Sequence, residues 1–328
     1  MVEQINTKPD IYKISVPLPN NPLKVLNSYI LKTPAENLVI DTGFNQPECL
    51  SALTEGLKEL DIDMNRTTLF LTHLHSDHVG LVNHIVTDKT RVFMSHVDYS
   101  YLTRTYVGDN WSWMEEKFYR EGLSKDLILL QREVNPARSY APEYLFKVQS
   151  IYDNEIFTIG DYTFRCIWTP GHTPGHTCLF MEQEKILFSG DHILFDITPN
   201  ITMWRDVEDS LGNYLESLKK IRSLDISLTL PAHRKNDMDV YERIEQIEEH
   251  HDRRINQTLS IIQQEPGLNA CEIGARMTWS MRGKNWAEFP IQQKWFAIGE
   301  TISHLDYLIK RDRIVRHKEK NIIYYTAV

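Results

Sequence analysis

The sequence predicts a layered α/β fold carrying a smaller helical domain at its C-terminal end. Three observations lead there. Short β-type runs at 11–17, 27–33 and 37–43 are followed by a helical stretch at about 47–60 and a strand at 67–73, a strand–helix–strand order. A second set of runs follows at 91–95, 155–160, 162–170, 177–182 and 185–191, with a helix near 208–223 before a last strand at 229–233. From Asp239 the texture changes to a long polar helix to about Gln264, helices near 269–277 and 287–311, and two short strands near 313–317 and 321–327. Helix, helix, helix and hairpin is the order of a winged helix-turn-helix, so the expected domains are 1–238 and 239–328.

The 328 residues, 41% hydrophobic and 25% charged, suffice for a core without staples and exclude collagen-like and disordered classes. Cys49, Cys166, Cys178 and Cys271 stand apart without C-x-x-C spacing, which argues against a disulfide framework and suits a reducing cytoplasm. The N-terminus has no signal-like pattern, and no apolar run approaches the roughly 18 residues a membrane span needs. The expectation is therefore a cytoplasmic protein without a membrane partner. The net charge of −9 sits in residues 1–239, with 23 Lys and Arg against 33 Asp and Glu; residues 240–328 carry 13 against 12. A nearly neutral C-terminal unit is a poor duplex binder, since electrostatic binding typically uses about 6–10 phosphate contacts.

Between 100 and 150 the strand pattern lapses into an aromatic-rich segment, with Tyr101, Tyr106, Trp111, Trp113, Phe118 and Tyr119, read as a largely helical insertion. The strongest chemical signal precedes it: His73-Leu74-His75-Ser76-Asp77-His78 directly after an apolar strand. On an extended segment His73 and His75 project to one side and can share a cation, while Asp77 and His78, on the turn beyond, can serve a neighbouring one. Imidazole and carboxylate are what zinc and similar borderline metals take. Three further candidates follow later strands: His172 in Thr169-Pro170-Gly171-His172-Thr173-Pro174-Gly175-His176, Asp191 in Ser189-Gly190-Asp191, and His233 in Pro231-Ala232-His233. Their glycines and prolines force turns that aim side chains off a sheet edge.

Together these motifs resemble the metallo-β-lactamase superfamily over about residues 10–238. The resemblance implies a four-layer αββα sandwich and a dinuclear hydrolytic centre. It makes His73, His75 and His172 ligands of one metal, Asp77, His78 and His233 ligands of the second, and Asp191 the bridge. Asp41 matches a position that supports the site without binding metal. In that pattern the first histidine of the 169–176 turn is the ligand, so His176 is read as a neighbour behind the site; His192, next to Asp191, points the opposite way on extended backbone and is read as structural or part of the pocket wall. His84, His96, His250, His251, His304 and His317 are read as surface or core residues. The metals expected are two divalent ions, zinc first, with iron or manganese as alternatives because His/Asp ligands discriminate weakly.

Such a pair lowers the pKa of a bridging water toward neutrality and polarises the substrate's carbonyl or phosphoryl oxygen. Asp77 and Asp191 are the expected catalytic carboxylates, orienting the hydroxide, with Asp77 accepting its proton. Asp191 stands where the commonest zinc β-lactamases carry cysteine, which disfavours penicillin hydrolysis. The 169–176 turn is similar to that of glyoxalase II thioesterases. Residues 240–328 resemble the winged-helix tail of a subgroup that includes lactamase-like protein 2 endoribonucleases and related thioesterases, through His251-Asp252-Arg253-Arg254, Cys271-Glu272-Ile273-Gly274 and Ala297 to Leu308.

The expected reaction is hydrolysis of a small-molecule thioester or carboxylic ester. Cleavage of single-stranded RNA is the alternative, and a non-catalytic DNA-binding regulator is the third reading. Trp111 and Trp113 are expected on an apolar lid over the substrate; otherwise they form the insertion's own core or a subunit contact, as in a homodimer. Arg234 is a candidate anchor for a substrate carboxylate or phosphate, or pairs with a surface acid.

Overall fold

A computed structural model describes residues 1–280 and 285–328. Strands β1 (Val2–Thr7), β2 (Asp10–Pro17), β3 (Val25–Lys32) and β4 (Asn37–Ile40) lead to helix α1 (Pro47–Glu59) and strand β5 (Thr67–Leu71). Short helices α2 (Ser76–Val79) and α3 (Val82–Ile85) precede β6 (Arg91–Ser95). The insertion is helical, with α4 (His96–Val107), α5 (Asn110–Arg120), α6 (Lys125–Val134) and α7 (Pro136–Ser139). Strand β7 (Gln149–Ile151) closes a seven-stranded sheet in sequence order, antiparallel through β4 and parallel from β4 to β7.

The second sheet holds β8 (Ile156–Ile159), β9 (Tyr162–Trp168), β10 (Thr177–Met181) and β11 (Ile186–Gly190). After α8 (Ser210–Arg222), β12 (Leu228–Pro231) joins it parallel to β11 at the edge.

Side-chain alternation stacks the layers, because successive strand residues point to opposite faces. In β3, Leu26 and Ile30 enter a cluster with Leu53 and Leu57 of α1, whereas Tyr29 and Leu31 face the second sheet. In β10, Leu179 and Met181 meet them between the sheets, while Cys178 and Phe180 point outward to Leu211, Tyr214 and Leu218 of α8. The section is helix, sheet, sheet, helix.

Beyond β12 come α9 (Val240–Gln264), α10 (Ala270–Arg276), α11 (Ile291–Ile309) and the hairpin β13 (Ile314–Glu319) with β14 (Ile322–Ala327). Asp239 caps α9 through the amides of Tyr241 and Glu242, and Asn269 with Glu272 forms a capping box on α10. The buried residues of α9, among them Val240, Ile244, Ile247, Ile255, Leu259 and Ile262, recur at helical spacing. They share one cluster with Ile298, Ile302 and Leu305 of α11 and with Phe118 and Leu218 of the preceding region.

The sequence reading of 287–311 as one helix is corrected at its start: Asn285 and Glu288 exchange side-chain and backbone hydrogen bonds around a single turn, and Pro290 then caps a helix opening at Ile291. Strands β1 and β7 are additions to that reading. Among the described residues no helix is long and apolar enough to cross a membrane.

Candidate metal centre

The site lies where several strands end on one rim. Parallel strand β5 is buried along its whole length, and the chain leaves it through Thr72 and His73, turns at His75 and enters α2 with Asp77 and His78 in its single turn. The turn between β9 and β10 supplies His172, the end of β11 supplies Asp191 and the end of β12 supplies His233. Two glycines of these motifs are required by space and conformation. Gly171 (φ 147°) lies against Tyr214, where a Cβ would approach its backbone to 2.6 Å. Gly190 (φ 50°) lies against His176, where a Cβ would come within 2.6 Å of Nε2.

All seven predicted ligands come together. His75 Nδ1 stands 3.0 Å from both His73 Nε2 and His172 Nε2. His233 Nε2 lies 3.4 Å from Asp77 Oδ2, and His78 Nε2 lies 3.9 Å from the same oxygen. Asp191 stands between the two sets: Oδ2 is 3.5 Å from His172, while Oδ1 is 3.6 Å from His78 and 3.4 Å from His233. The donors form three groups able to hold an ion, namely His73, His75 and His172; His73, His78 and Asp191; and Asp77, His78 and His233.

His78 Nε2, His233 Nε2 and Asp191 Oδ1 are buried and have no hydrogen-bond partner. Buried polar atoms left this way are costly. Three of them turned toward one another fit a cation, and the nitrogen and carboxylate set suits a borderline divalent metal.

The opposite ring nitrogens are tied down, as metal-binding imidazoles require. His78 Nδ1 donates to Asp41 Oδ2 at 2.8 Å, His172 Nδ1 to the Asn200 carbonyl at 2.8 Å, and His233 Nδ1 to the Val25 carbonyl at 2.8 Å. His73 Nδ1 lies 3.0 Å from Thr72 Oγ1. Asp41 therefore touches the His78 imidazole and lies behind it.

Charge divides the cluster. Burial, reinforced by His172, pulls His75 down to about 3, and burial with neighbouring imidazoles holds His73 well below its ordinary range. Burial also disfavours charge on His78, but the carboxylates of Asp41, Asp77 and Asp191 outweigh it and lift the ring up to about 10. For Asp77 burial works against ionisation, and His78, His233 and His75 overcome it and hold the carboxyl below its usual range. One side thus holds neutral imidazoles, and the other gathers carboxylates around His78 and His233, whose rings would give up a proton on binding a cation.

Further residues complete the site without having been read from the sequence. Trp204, in the loop between β11 and α8, stacks on His75 with centroids 6.0 Å apart and donates from Nε1 to the His172 carbonyl. Asp98 of α4 accepts from the Leu74 amide, the Thr173 hydroxyl and the Gly175 amide, joining the two ligand loops, and burial raises its carboxyl to about 7. Neither carries a motif; Asp98 is a lone acid at the start of a helix.

His176 lies behind Asp191 and accepts its backbone N–H through Nε2 at 3.1 Å, while His192 is buried against Tyr214. His251 and His304 are buried in the C-terminal helices. Trp111 lies under the Arg138 guanidinium, 4.1 Å from the ring centroid, and Trp113 packs against the cluster shared with the C-terminal helices, with Arg205 over its ring. The Arg234 guanidinium donates to the Pro22 carbonyl at 2.6 Å.

A fold of two stacked sheets between helices, with this His/Asp cage on its rim, defines a metal-site hydrolase fold. The sequence model of the Metallo-beta-lactamase superfamily matches residues 23–233, and the chain belongs to that superfamily. It is similar to the atrochrysone carboxyl ACP thioesterase of Aspergillus fumigatus, 26% identical over 241 residues that cover 74% of this chain and 61% of that protein. It is also similar to the Beta-lactamase-like protein 2 homolog of Caenorhabditis elegans, 25% identical over 79% of this chain and 74% of that one.

Among solved structures, that of a metallo-beta-lactamase family protein from Thermus thermophilus superposes with a TM-score of 0.80 at 25% identity. That superposition covers 97% of this chain and 98% of the other. The chain spans 60–62% of the length of the first fungal relatives it matches.

Proposed function

We propose that this hydrolase-superfamily protein is a dinuclear metal-dependent thioesterase, acting on a small acyl thioester or a related carboxylic ester, with zinc as the first expectation for the metal. The observation that carries the metal reading is the convergence of the buried, unpartnered His78 Nε2, His233 Nε2 and Asp191 Oδ1. His73, His75 and His172 would hold one ion, Asp77, His78 and His233 the other, with Asp191 between them. When bound, such ions supply a water acidic enough to ionise near neutral pH and a Lewis acid for the carbonyl oxygen.

The chain's own residues do the rest. Asp77 would take up the proton released when that water ionises, and Asp191 would orient the water from between the two sets of imidazoles. Asp41, the Asn200 carbonyl and the Val25 carbonyl hold the ligand tautomers. Trp204 stacks on one face of His75.

The thioester preference is supported by the likeness to an ACP thioesterase. Trp111 and Trp113 on the helical insertion are proposed as apolar substrate surface and Arg234 as an anchor for substrate charge. The C-terminal helices with the β13–β14 hairpin are read as a winged-helix unit starting near 239. The four free cysteines suit a cytoplasmic setting.

The test is a panel of acyl thioesters, lactones and single-stranded RNA offered to the zinc-loaded full chain and to Asp191→Ala. Thioester turnover lost in the variant supports the proposal. Metal-dependent RNA cleavage without ester turnover overturns it in favour of an endoribonuclease, and salt-sensitive duplex binding that survives chelation, without turnover, in favour of a DNA-binding regulator.

A further inference from the structure

We infer that the C-terminal helices are a working part of the metal centre: Glu300 of α11, held by Arg254 of α9, positions Asn200, whose backbone carbonyl fixes the His172 imidazole. The inference rests on the reading of His172 as a metal ligand.

The ligand imidazoles differ in what stands behind them. His78 and His233 lean on groups belonging to the first sheet and its immediate turns, Asp41 after β4 and the Val25 carbonyl of β3. Such supports are held by strand pairing. His172 leans instead on the Asn200 carbonyl, in the long connection between β11 and α8, where residues 192–209 form neither helix nor strand. A carbonyl on irregular backbone orients a ring only as well as the backbone is itself held.

That holding comes from beyond residue 240. Arg243 of α9 donates from Nε to the Leu194 carbonyl at 2.6 Å and from Nη2 to the Ile197 carbonyl at 2.9 Å. Ser303 of α11 donates to the Ile201 carbonyl at 2.6 Å. The Asn200 side-chain amide donates to Glu300 Oε2 at 3.2 Å and to the Phe296 carbonyl at 3.3 Å. Between Leu194 and Met203, every described hydrogen bond to this connection other than that from His172 comes from α9 or α11.

Glu300 is in turn fixed by Arg254 at 3.1 Å, with the two side chains 8% and 13% exposed in the order Arg254, Glu300. Arg254 spends its remaining capacity on the Thr278 carbonyl at 2.6 Å and on the face of Trp279, 3.8 Å from the ring centroid. A charged pair this well enclosed, with a further bond from Nη1 to the Thr278 carbonyl, is held more firmly than a loose surface contact. The line from Arg254 through Glu300 and Asn200 to His172 therefore ends on the nitrogen opposite the ligating one, where such partners set tautomer, ring direction and basicity. Trp204 belongs to the same connection and touches both His75 and the His172 carbonyl, so a displaced connection disturbs two ligands of one ion.

The test reads metal binding apart from turnover. The 328-residue chain is stripped with chelator and titrated with cobalt(II), following the visible spectrum and the affinity by chelator competition, for wild type, Asn200→Ala, Glu300→Ala, the double variant and His172→Ala. Asn200→Ala leaves the buried Arg254–Glu300 pair intact and decides the matter even if Glu300→Ala does not fold. The expected result is a loss of up to about tenfold in cobalt affinity with a shifted spectrum in Asn200→Ala, the low end of the scale for a metal-binding histidine's outer partner, because the carbonyl stays and only its anchor to Glu300 is removed. The double variant binds no more weakly than the weaker single variant. Wild-type affinity and spectrum in Asn200→Ala, alongside weakened binding in His172→Ala, would overturn the inference alone. Unchanged binding in His172→Ala as well would overturn the ligand assignment beneath it.

Discussion

Asp41 and His78 meet at 2.8 Å, Oδ2 to Nδ1, on the buried floor of the site, and the same carboxylate takes the Thr72 amide on Oδ1 at 2.9 Å. One side chain thus fixes both the exit of β5 and the imidazole six residues later. Asp41 does so from a left-handed backbone (φ 61°), which Asp and Asn tolerate better than other side-chain-bearing residues.

Asp41→Asn keeps that backbone and an acceptor for Thr72 but removes the charge facing His78. Its expected effect is a roughly 10–100-fold loss of metal affinity with the fold retained, measured by chelator competition and circular dichroism. Undiminished affinity would mean that His78 needs no orienting carboxylate.

Trp204 separates packing from hydrogen bonding. Trp204→Phe keeps a ring against His75 and loses the indole N–H donated to the His172 carbonyl, so kcat/KM for a thioester should fall about 5–10-fold, the worth of one hydrogen bond near 1 kcal/mol. Trp204→Ala loses both contacts and should fall further. Equal kinetics in all three proteins would remove Trp204 from the site.

The His73–His78 motif was legible because four ligand-type residues fall within six positions after an apolar strand, and His172, Asp191 and His233 because each follows a strand through a Gly or Pro turn. The supports were not. Asn200 and Trp204 sit on backbone with no periodicity to place it, and their roles arise from residues distant in sequence, Glu300 for Asn200 and His75 and His172 for Trp204, that only tertiary packing brings near. Among the strands, β1 reads Val-Glu-Gln-Ile-Asn-Thr, too weakly alternating to stand out, and β7 is three residues long; both lie at sheet edges. The Asn285 and Glu288 spacing looks like a helix start but closes one turn before Pro290.

Asp306 gives the C-terminal segment a pH signature. Burial is the main cause, with Glu121 and Asp209 adding to it against Lys117 and Arg316, and it lifts the carboxyl from 3.8 up to about 6. Because the folded value lies above the unfolded one, the native state holds a proton between those values that the unfolded state has lost. The associated stability is present in acid and disappears as pH rises through about 6. Asp306→Asn should therefore be more stable than wild type at pH ~8, by up to about 3 kcal/mol, with the gain shrinking toward pH ~4, as read by urea denaturation. A gain that is larger in acid would contradict the assignment.

We propose that His73, His75, Asp77, His78, His172, Asp191 and His233 form one cage for two divalent ions, and calorimetric titration of the chelator-stripped chain with zinc decides it. Two tight equivalents per chain are expected, with one lost or severely weakened in His233→Ala and the other in His75→Ala. Failure of the stripped protein to take up zinc, or uptake that neither substitution alters, would contradict it.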